Sequence, residues 1–346
     1  MCVRSRYTAV VQTRAWLLLP NGTYRWESLE LPPLQPGEAL IRLRACGLCT
    51  GEIMDWYTLR KAPFVPGHEL VGEVEMLGEG VSHLRVGMRV VVHHHAPCLQ
   101  CELCQRGAFV HCPTWRSTKL NPGGLSERFI APAPIVRTDV LPIPDGVSDE
   151  QAVFTEPLAC VVKSLRRAGL RPGATLAVVG VGVMGLLHLM LGRAWGASRL
   201  LAVDKLAHRL EAAEQLGATP LLANDAPRLA RHTAEIVVVG PGSEEALALA
   251  LELVAPDGAV VLFTPAPPEV RAPLAWHDLY FREVRLVPSY SASHTEMRDA
   301  LLQIAAGLPV QPLITHRLPL ERAPEGYALL RRAQALKVVV SPLQQP

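Results

Sequence analysis

The 346-residue chain is predicted to be an α/β protein of two domains, one β-rich and carrying a cysteine lobe, the other a doubly wound parallel sheet. Three observations carry this expectation. The length exceeds what one core fills, since single cores stop growing at about 250–300 residues. Cys98, Cys101, Cys104 and Cys112 stand in a C-x2-C-x2-C-x7-C run. A continuous apolar stretch, Ala174-Thr-Leu-Ala-Val-Val-Gly180, leads directly into Gly180-Val-Gly-Val-Met-Gly185.

Four thiolates so close in sequence can surround one ion tetrahedrally and leave no open position. That is the pattern of a structural zinc site. An iron–sulfur ligand run starts the same way and is also followed by proline, as Pro113 follows Cys112, but its last spacing is three residues rather than seven. No second cysteine group exists to hold a partner cluster. A disulfide framework fits poorly with a chain of this size lacking a secretion signal.

From Ala15 to Leu43 the residues read as short strands broken at Asn21-Gly22 and Gln35-Pro36-Gly37. Glu38–Arg44 alternates as a half-buried strand and delivers the chain to Ala45-Cys-Gly-Leu-Cys-Thr-Gly-Glu52. After Trp56 comes Val65-Pro-Gly-His-Glu-Leu. Cys49, His68 and Glu69 offer a soft, a borderline and a hard ligand, the mixture that open zinc sites accept. Alone, Cys49 reads as a buried thiol and His68 as a satisfied core histidine; a Gly-His-Glu triplet after a Gly-x-Cys turn and before a zinc lobe favours ligation. Cys46 and Cys49 also form a C-x-x-C, without the βαβ context of a redox pair. Of the three histidines before Cys98, His93 and His94 read as a solvated loop beside the lobe.

Ser148 is a plausible N-cap for the helical region containing Glu156-Pro157-Leu158, in which Pro157 is expected to break or kink the helix and leave Glu156 at its end. The apolar strand before Gly180 is expected where both sheet faces are covered. The G-x-G-x-x-G of Gly180, Gly182 and Gly185, with Val183 and Met184 between, opens a helix, and the next strand, Arg199–Val203, ends at Asp204. This is the dinucleotide fingerprint: glycines let the backbone approach a pyrophosphate at a helix N-terminus, and the acid meets the ribose diol. Asp204 would repel a 2′-phosphate and so predicts NAD; Lys205 and Arg209 soften that argument. Helices over Lys205–Leu216 and Ser243–Leu253, strands over Ile236–Val239, Ala259–Phe263 and Glu283–Val287, a helix at about Glu296–Ala306, and a tail strand ending at Val340 complete the reading.

Composition narrows the function. A hydrophobic content of 49% with 19% charged residues describes a well-cored protein, and a net charge of +2 gives no broad attraction to nucleic acid or anionic membrane. The apolar run Ala15–Leu19 is too short for a signal core, and no stretch approaches ~20 uninterrupted apolar residues, so a cytoplasmic protein is expected.

Taken together, G-L-C (47–49), G-H-E (67–69), the cysteine quartet, E-P-L (156–158), the glycine fingerprint with Asp204, and A-L-K-V-V (335–339) make the chain resemble the zinc-containing medium-chain dehydrogenases, in their sorbitol, threonine and polyol branch. The resemblance spans about Thr13 to Pro342. It implies a GroES-like catalytic domain over 1–153 and 293–346, interrupted by a Rossmann NAD-binding domain over 154–292, and homo-oligomers, tetramers more than dimers. By the same resemblance Cys49, His68 and Glu69 match ligands of a catalytic zinc, and Glu156 a second glutamate near that metal. Phe263, Thr264, Ser289 and Tyr290 fall along the nicotinamide side, and His95 matches a histidine near the substrate of threonine dehydrogenases. One catalytic and one structural zinc per chain follow, with zinc as Lewis acid on a secondary alcohol or polyol and hydride passing to NAD.

The chain departs from the family where a proton relay normally begins. The usual Cys-Gly-Ser/Thr-Asp reads Cys49-Thr50-Gly51-Glu52, and a histidine common five residues after the cysteine is Met54. Thr50 is left as a nearby hydroxyl. The polyol enzymes' pocket tyrosine is Asp55, while Trp56 matches. Two other classes therefore stay in view: a zinc- and NAD-binding regulatory protein of the same fold, and a zinc-independent NADPH quinone or enoyl reductase.

Overall fold

The computed structural model describes residues 10–342; the basic stretch before Val10 and residues 343–346 lie outside them. The chain divides into two compact units, Met1–Glu156 with Ala292–Pro346, and Pro157–Ser291.

The first unit opens with β1 (Val11–Leu18) and β2 (Tyr24–Leu31), an antiparallel hairpin whose turn uses Gly22 at φ 81°. Then come β3 (Ala39–Leu48), β4 (Glu69–Leu77), β5 (Arg89–Val92), β6 (Arg128–Ala131) and β7 (Val140–Pro142). The second unit contributes β8 (Thr175–Val179), β9 (Arg199–Asp204), β10 (Thr219–Leu222), β11 (Ala234–Val239), β12 (Val254–Leu262) and β13 (Arg285–Pro288). The chain then returns with β14 (Ile314–Pro319) and β15 (Lys337–Ser341).

In the first unit the main sheet runs β14-β15-β3-β4-β5-β7, with β6 also pairing β3. Alternate residues such as Ile41, Leu43, Val74, Val90, Phe129 and Val340 bury one continuous apolar core. The tail strand β15 lies antiparallel to β3, with Val338 opposite Leu48.

The second unit is an all-parallel sheet of order β10-β9-β8-β11-β12-β13, the doubly wound arrangement in which strand order reverses beside the first strand. Leu176–Val179 are all buried, which is why β8 reads as uninterrupted apolar sequence. The helix Val183–Ala194 follows its glycine turn, and Ser243 caps Glu244–Leu253 by accepting a hydrogen bond from the Ala246 amide.

Ser148 caps the short helix Asp149–Ala152 in a full capping box with Gln151. The break expected at Pro157 is instead a beginning: the helix Thr155–Ala168 starts just before it. Proline in a first turn removes an N–H that has no helical partner, so it costs nothing there.

Candidate metal centres and dinucleotide turn

Strand pairing gathers the chemistry of the first unit at one end of the sheet. The register sets Gly47 opposite Glu69, Leu70 opposite Val92, and Leu48 opposite Val338. The end of β3, the start of β4, the end of β5 and the start of β15 therefore meet. These ends carry Cys49, His68–Glu69, His93–His95 and Lys337. The ligand atoms of Cys49, His68 and Glu69 lie within 4.8 Å of one another.

Each member is held. Gly67, at φ 96°, makes the turn before His68; a Cβ there would sit 2.7 Å from the Leu125 backbone nitrogen. The Leu125 amide in turn donates to the Pro66 carbonyl at 2.7 Å. His68 Nδ1 lies 3.0 Å from Glu52 Oε1, which also accepts from the Gly67 amide at 2.6 Å, while the Tyr327 hydroxyl donates to Glu52 Oε2. A carboxylate on one ring nitrogen fixes the tautomer and leaves Nε2 to a metal. Burial works against charge on His68, yet Glu52 and Cys49 outweigh it and hold its pKa well above the ordinary value. A cation must displace that proton. Burial likewise opposes the Glu52 carboxylate, but His68, Tyr327 and the Gly67 amide hold its pKa down.

Glu69 has a partner that local sequence did not reveal. Lys337 Nζ donates to both its oxygens, at 2.7 and 2.6 Å, in a pair whose side chains are each 1% exposed. Burial lowers the lysine's pKa, but Glu69 and Cys49 outweigh it, and the net shift is upward. Gly47 makes room for the carboxylate: a Cβ there would overlap Glu69 Oε2. With Lys337 and Glu52 counted, a divalent ion beside the Cys49 thiolate and the Glu69 carboxylate is balanced, three positive charges against three negative ones. Removing Lys337 leaves a buried carboxylate unpaired. Lys337→Met should destabilise the metal-free protein by about 3–5 kcal/mol, and adding Glu69→Gln should recover part of that. A thermal or urea midpoint unchanged in Lys337→Met would contradict this pairing.

The structure places Glu156 with two histidines rather than inside the first trio. Ligand atoms of His93, His94 and Glu156 also lie within 4.8 Å of one another. His93 and His94 correct the expectation of a solvated loop: His93 is fully buried and its Nδ1 lies 3.1 Å from Asp139 Oδ1. They continue β5 into the interior instead of leaving the sheet. His95 Nδ1 donates to the Thr118 carbonyl at 2.7 Å, and its ring lies between those of His94 and Trp115, at 4.2 and 4.3 Å. Burial, aided by His93, lowers its pKa to about 4, so the ring is neutral and offers Nε2 as an acceptor. Burial raises the Glu156 pKa, with Glu69 adding to it and His68 opposing. Thr50 is exposed, and the structure does not join it to this group. Asp55, where a pocket tyrosine was expected, pairs with Arg331 at 2.6 Å, and Trp56 is half-buried beside it.

The cysteine lobe is a separate centre. Cys104 Sγ lies 3.9 Å from Cys98 Sγ and 3.6 Å from Cys101 Sγ, and all four sulfur atoms lie within 4.8 Å of one another. Tetrahedral zinc with bonds of ~2.3 Å needs sulfurs ~3.8 Å apart, whereas a disulfide needs ~2.05 Å. Backbone amides of Gln100 and Cys101 point at Cys98 Sγ and lower its pKa, favouring the thiolate a metal requires. The four thiolates fit a closed zinc site.

In the second unit, the C-terminal ends of the parallel strands carry the remaining candidates. Gly180 follows β8 at φ 89°, where a Cβ would meet Pro241 at 2.7 Å. In front of Gly182, which caps the helix without a side-chain bond, a Cβ would meet nothing, leaving the backbone open to a phosphate. A Cβ on Gly185 would overlap the Gly180 carbonyl, so this glycine permits close strand–helix packing. Val183 and Met184 form the first helical turn. Asp204 ends β9, accepting from the Val181 and Leu206 amides at 2.9 Å each, with Arg209 3.9 Å away. Phe263 and Thr264 follow β12, Phe263 meeting the His188 ring at 4.7 Å. Ser289, buried with no partner for its hydroxyl, and exposed Tyr290 follow β13. The turn fits a dinucleotide.

Residues 35–145 match the family profile described as alcohol dehydrogenase GroES-like domain, and residues 180–306 that of zinc-binding dehydrogenase. A sorbitol dehydrogenase of Bombyx mori is 30% identical over 91% of this chain and 94% of its own length. An alcohol dehydrogenase from Thermus sp. ATN1 is 30% identical, with a TM-score of 0.84 over 95% of this chain and 100% of that one. A zinc-binding dehydrogenase from Sinorhizobium meliloti, solved with NADP bound, is 25% identical, with a TM-score of 0.86 over 96% of this chain and 100% of that one. The matched profiles and the sorbitol dehydrogenase relative show that the chain belongs to the zinc-containing medium-chain alcohol dehydrogenases, in the branch of the sorbitol dehydrogenases.

Proposed function

We propose that the chain oxidises a secondary alcohol or polyol with NAD, using a zinc ion held by Cys49, His68 and Glu69. The observation that carries this reading is the trio itself: a thiolate, an imidazole and a carboxylate within 4.8 Å, three ligands with a fourth position left for substrate. Zinc there supplies Lewis acidity that lowers the pKa of a substrate hydroxyl. Glu52 and Tyr327 orient His68, and Lys337 steadies Glu69. The same three ligands argue against a zinc-independent reductase. Reduction of NAD followed across a panel of secondary alcohols and polyols tests the reading; no turnover with any of them would leave a binding or regulatory protein of this fold.

NAD over NADP is supported by Asp204, which two amides lock at the end of β9 and which would meet a 2′-phosphate with like charge. Arg209 is already drawn to that carboxylate. The expected kcat/KM ratio favours NAD by at least about tenfold, ~1.4 kcal/mol. A preference for NADP would show that Arg209 and Lys205 outweigh Asp204.

Glu156 is proposed to take up the substrate proton, since Gly51 and Met54 offer no relay. Its pKa is raised by burial, so the carboxylate forms only above the usual carboxylate range. Alcohol oxidation should therefore rise with pH through that raised pKa. In Glu156→Gln, kcat should fall and this limb vanish, with zinc retained at Cys49. Full turnover with an unchanged pH profile would remove Glu156 from the chemistry.

A further inference from the structure

The Asp139–His93 pair repeats, beside the first trio, the arrangement seen at Glu52–His68. His93 is fully buried, its Nδ1 faces Asp139 Oδ1 at 3.1 Å, and Thr138 donates to the other oxygen of that carboxylate. A histidine fixed this way presents Nε2 as a lone-pair donor. That atom is buried and has no hydrogen-bond partner, and His94 Nδ1 is in the same condition. Buried polar atoms left unmatched call for an explanation. Both histidines converge with the Glu156 carboxylate inside 4.8 Å. Two imidazoles and a carboxylate form a familiar open coordination set for borderline divalent ions such as zinc or iron(II).

We propose that His93, His94 and Glu156 form a second divalent-metal site next to the Cys49–His68–Glu69 centre, with Asp139 as the positioning residue. The two candidate positions are neighbours, since the His68 and His94 rings have centroids 5.1 Å apart. A substrate with two adjacent oxygen atoms is the class that such a pair of cations would hold. The metal site does not depend on zinc at Cys49; when filled it holds Glu156 as the carboxylate, so the pH limb proposed for Glu156 belongs to protein in which this site is empty, and the variants separate the two readings.

The test is equilibrium dialysis of the full chain against buffered zinc, with bound zinc counted by elemental analysis. The unmodified protein should bind one equivalent more than His94→Gln, and Cys49→Ser should lose a different equivalent, so that the double variant loses both. His94 is only partly buried, so His94→Gln is suited to fold; circular dichroism and bound cofactor check this. Asp139→Asn should weaken that one equivalent by about 10–100-fold without altering the one lost in Cys49→Ser. Equal zinc in the unmodified protein and His94→Gln would overturn the proposal, as would one equivalent lost in common by His94→Gln and Cys49→Ser. Failure of the alcohol panel with the extra equivalent present would leave this site standing and remove only the dehydrogenase reading.

Discussion

His68→Ala is expected to lose the zinc beside Cys49 and its turnover together. The imidazole is the central ligand of the trio, and its removal also strands Glu52, which the Gly67 amide and Tyr327 hydroxyl would hold without its main partner. A Lewis acid contributes several kcal/mol to stabilising charge at the reacting oxygen. Losing ~4 kcal/mol lowers the rate by about a thousandfold. Zinc content and kcat measured on the same preparation check the prediction. Glu52→Gln gives a graded version: the metal should bind about 10–100-fold more weakly while the ligands stay in place. His68→Ala with full activity would place the chemistry elsewhere.

Cys104→Ser is expected to damage the fold more than the chemistry. Cys104 lies close to both Cys98 and Cys101, and the apolar cluster of the lobe is small: Val110 and Trp115 with partly buried Phe109 are nearly all that packs around the sulfurs. So little apolar area cannot order a lobe alone, and metal binding must supply the difference. In zinc-finger peptides that contribution is ~10–16 kcal/mol, so losing one of four thiolates should be felt as a clear fall in melting temperature and zinc content. The effect should reach the pocket only indirectly, because the Trp115 ring supports His95. Turnover per zinc-loaded chain should then fall less than stability. Unchanged zinc and melting temperature in Cys104→Ser would show that the lobe needs no metal.

What the sequence made legible was local. The glycine turn, the four cysteines and the apolar run of β8 each declare themselves within a few residues, because spacing alone sets their chemistry. The Ser148 cap and most strands and helices of the second unit follow from the same short-range rules, but β10 (Thr219–Leu222) does not, since it contains Pro220 and buries only Leu221. Lys337, Glu52 and Asp139 were harder, since their partners are remote: Lys337 and Glu69 stand 268 positions apart and meet only because β15 returns to β3. A signal was present in one case. A lone lysine inside Leu336-Lys-Val-Val-Val340 is a charge in a strand otherwise fit for burial, and such a charge requires a partner. His93 gave the opposite impression, because three consecutive histidines look solvated. Its burial depends on β5 running inward and on Asp139, 46 positions away, satisfying the ring. Pro157 was misjudged for a simpler reason: proline marks helix starts as well as helix breaks.

Metal held at Cys49, His68 and Glu69 is what the proposed dehydrogenase activity requires. The most direct measurement strips the protein with a chelator, returns zinc stepwise, and follows bound zinc and alcohol-dependent NAD reduction on the same samples. Cys49→Ser is carried through in parallel. The rate should vanish on stripping and return in proportion to the zinc that the unmodified protein regains and Cys49→Ser does not. A full rate in protein from which all zinc has been removed would contradict the account.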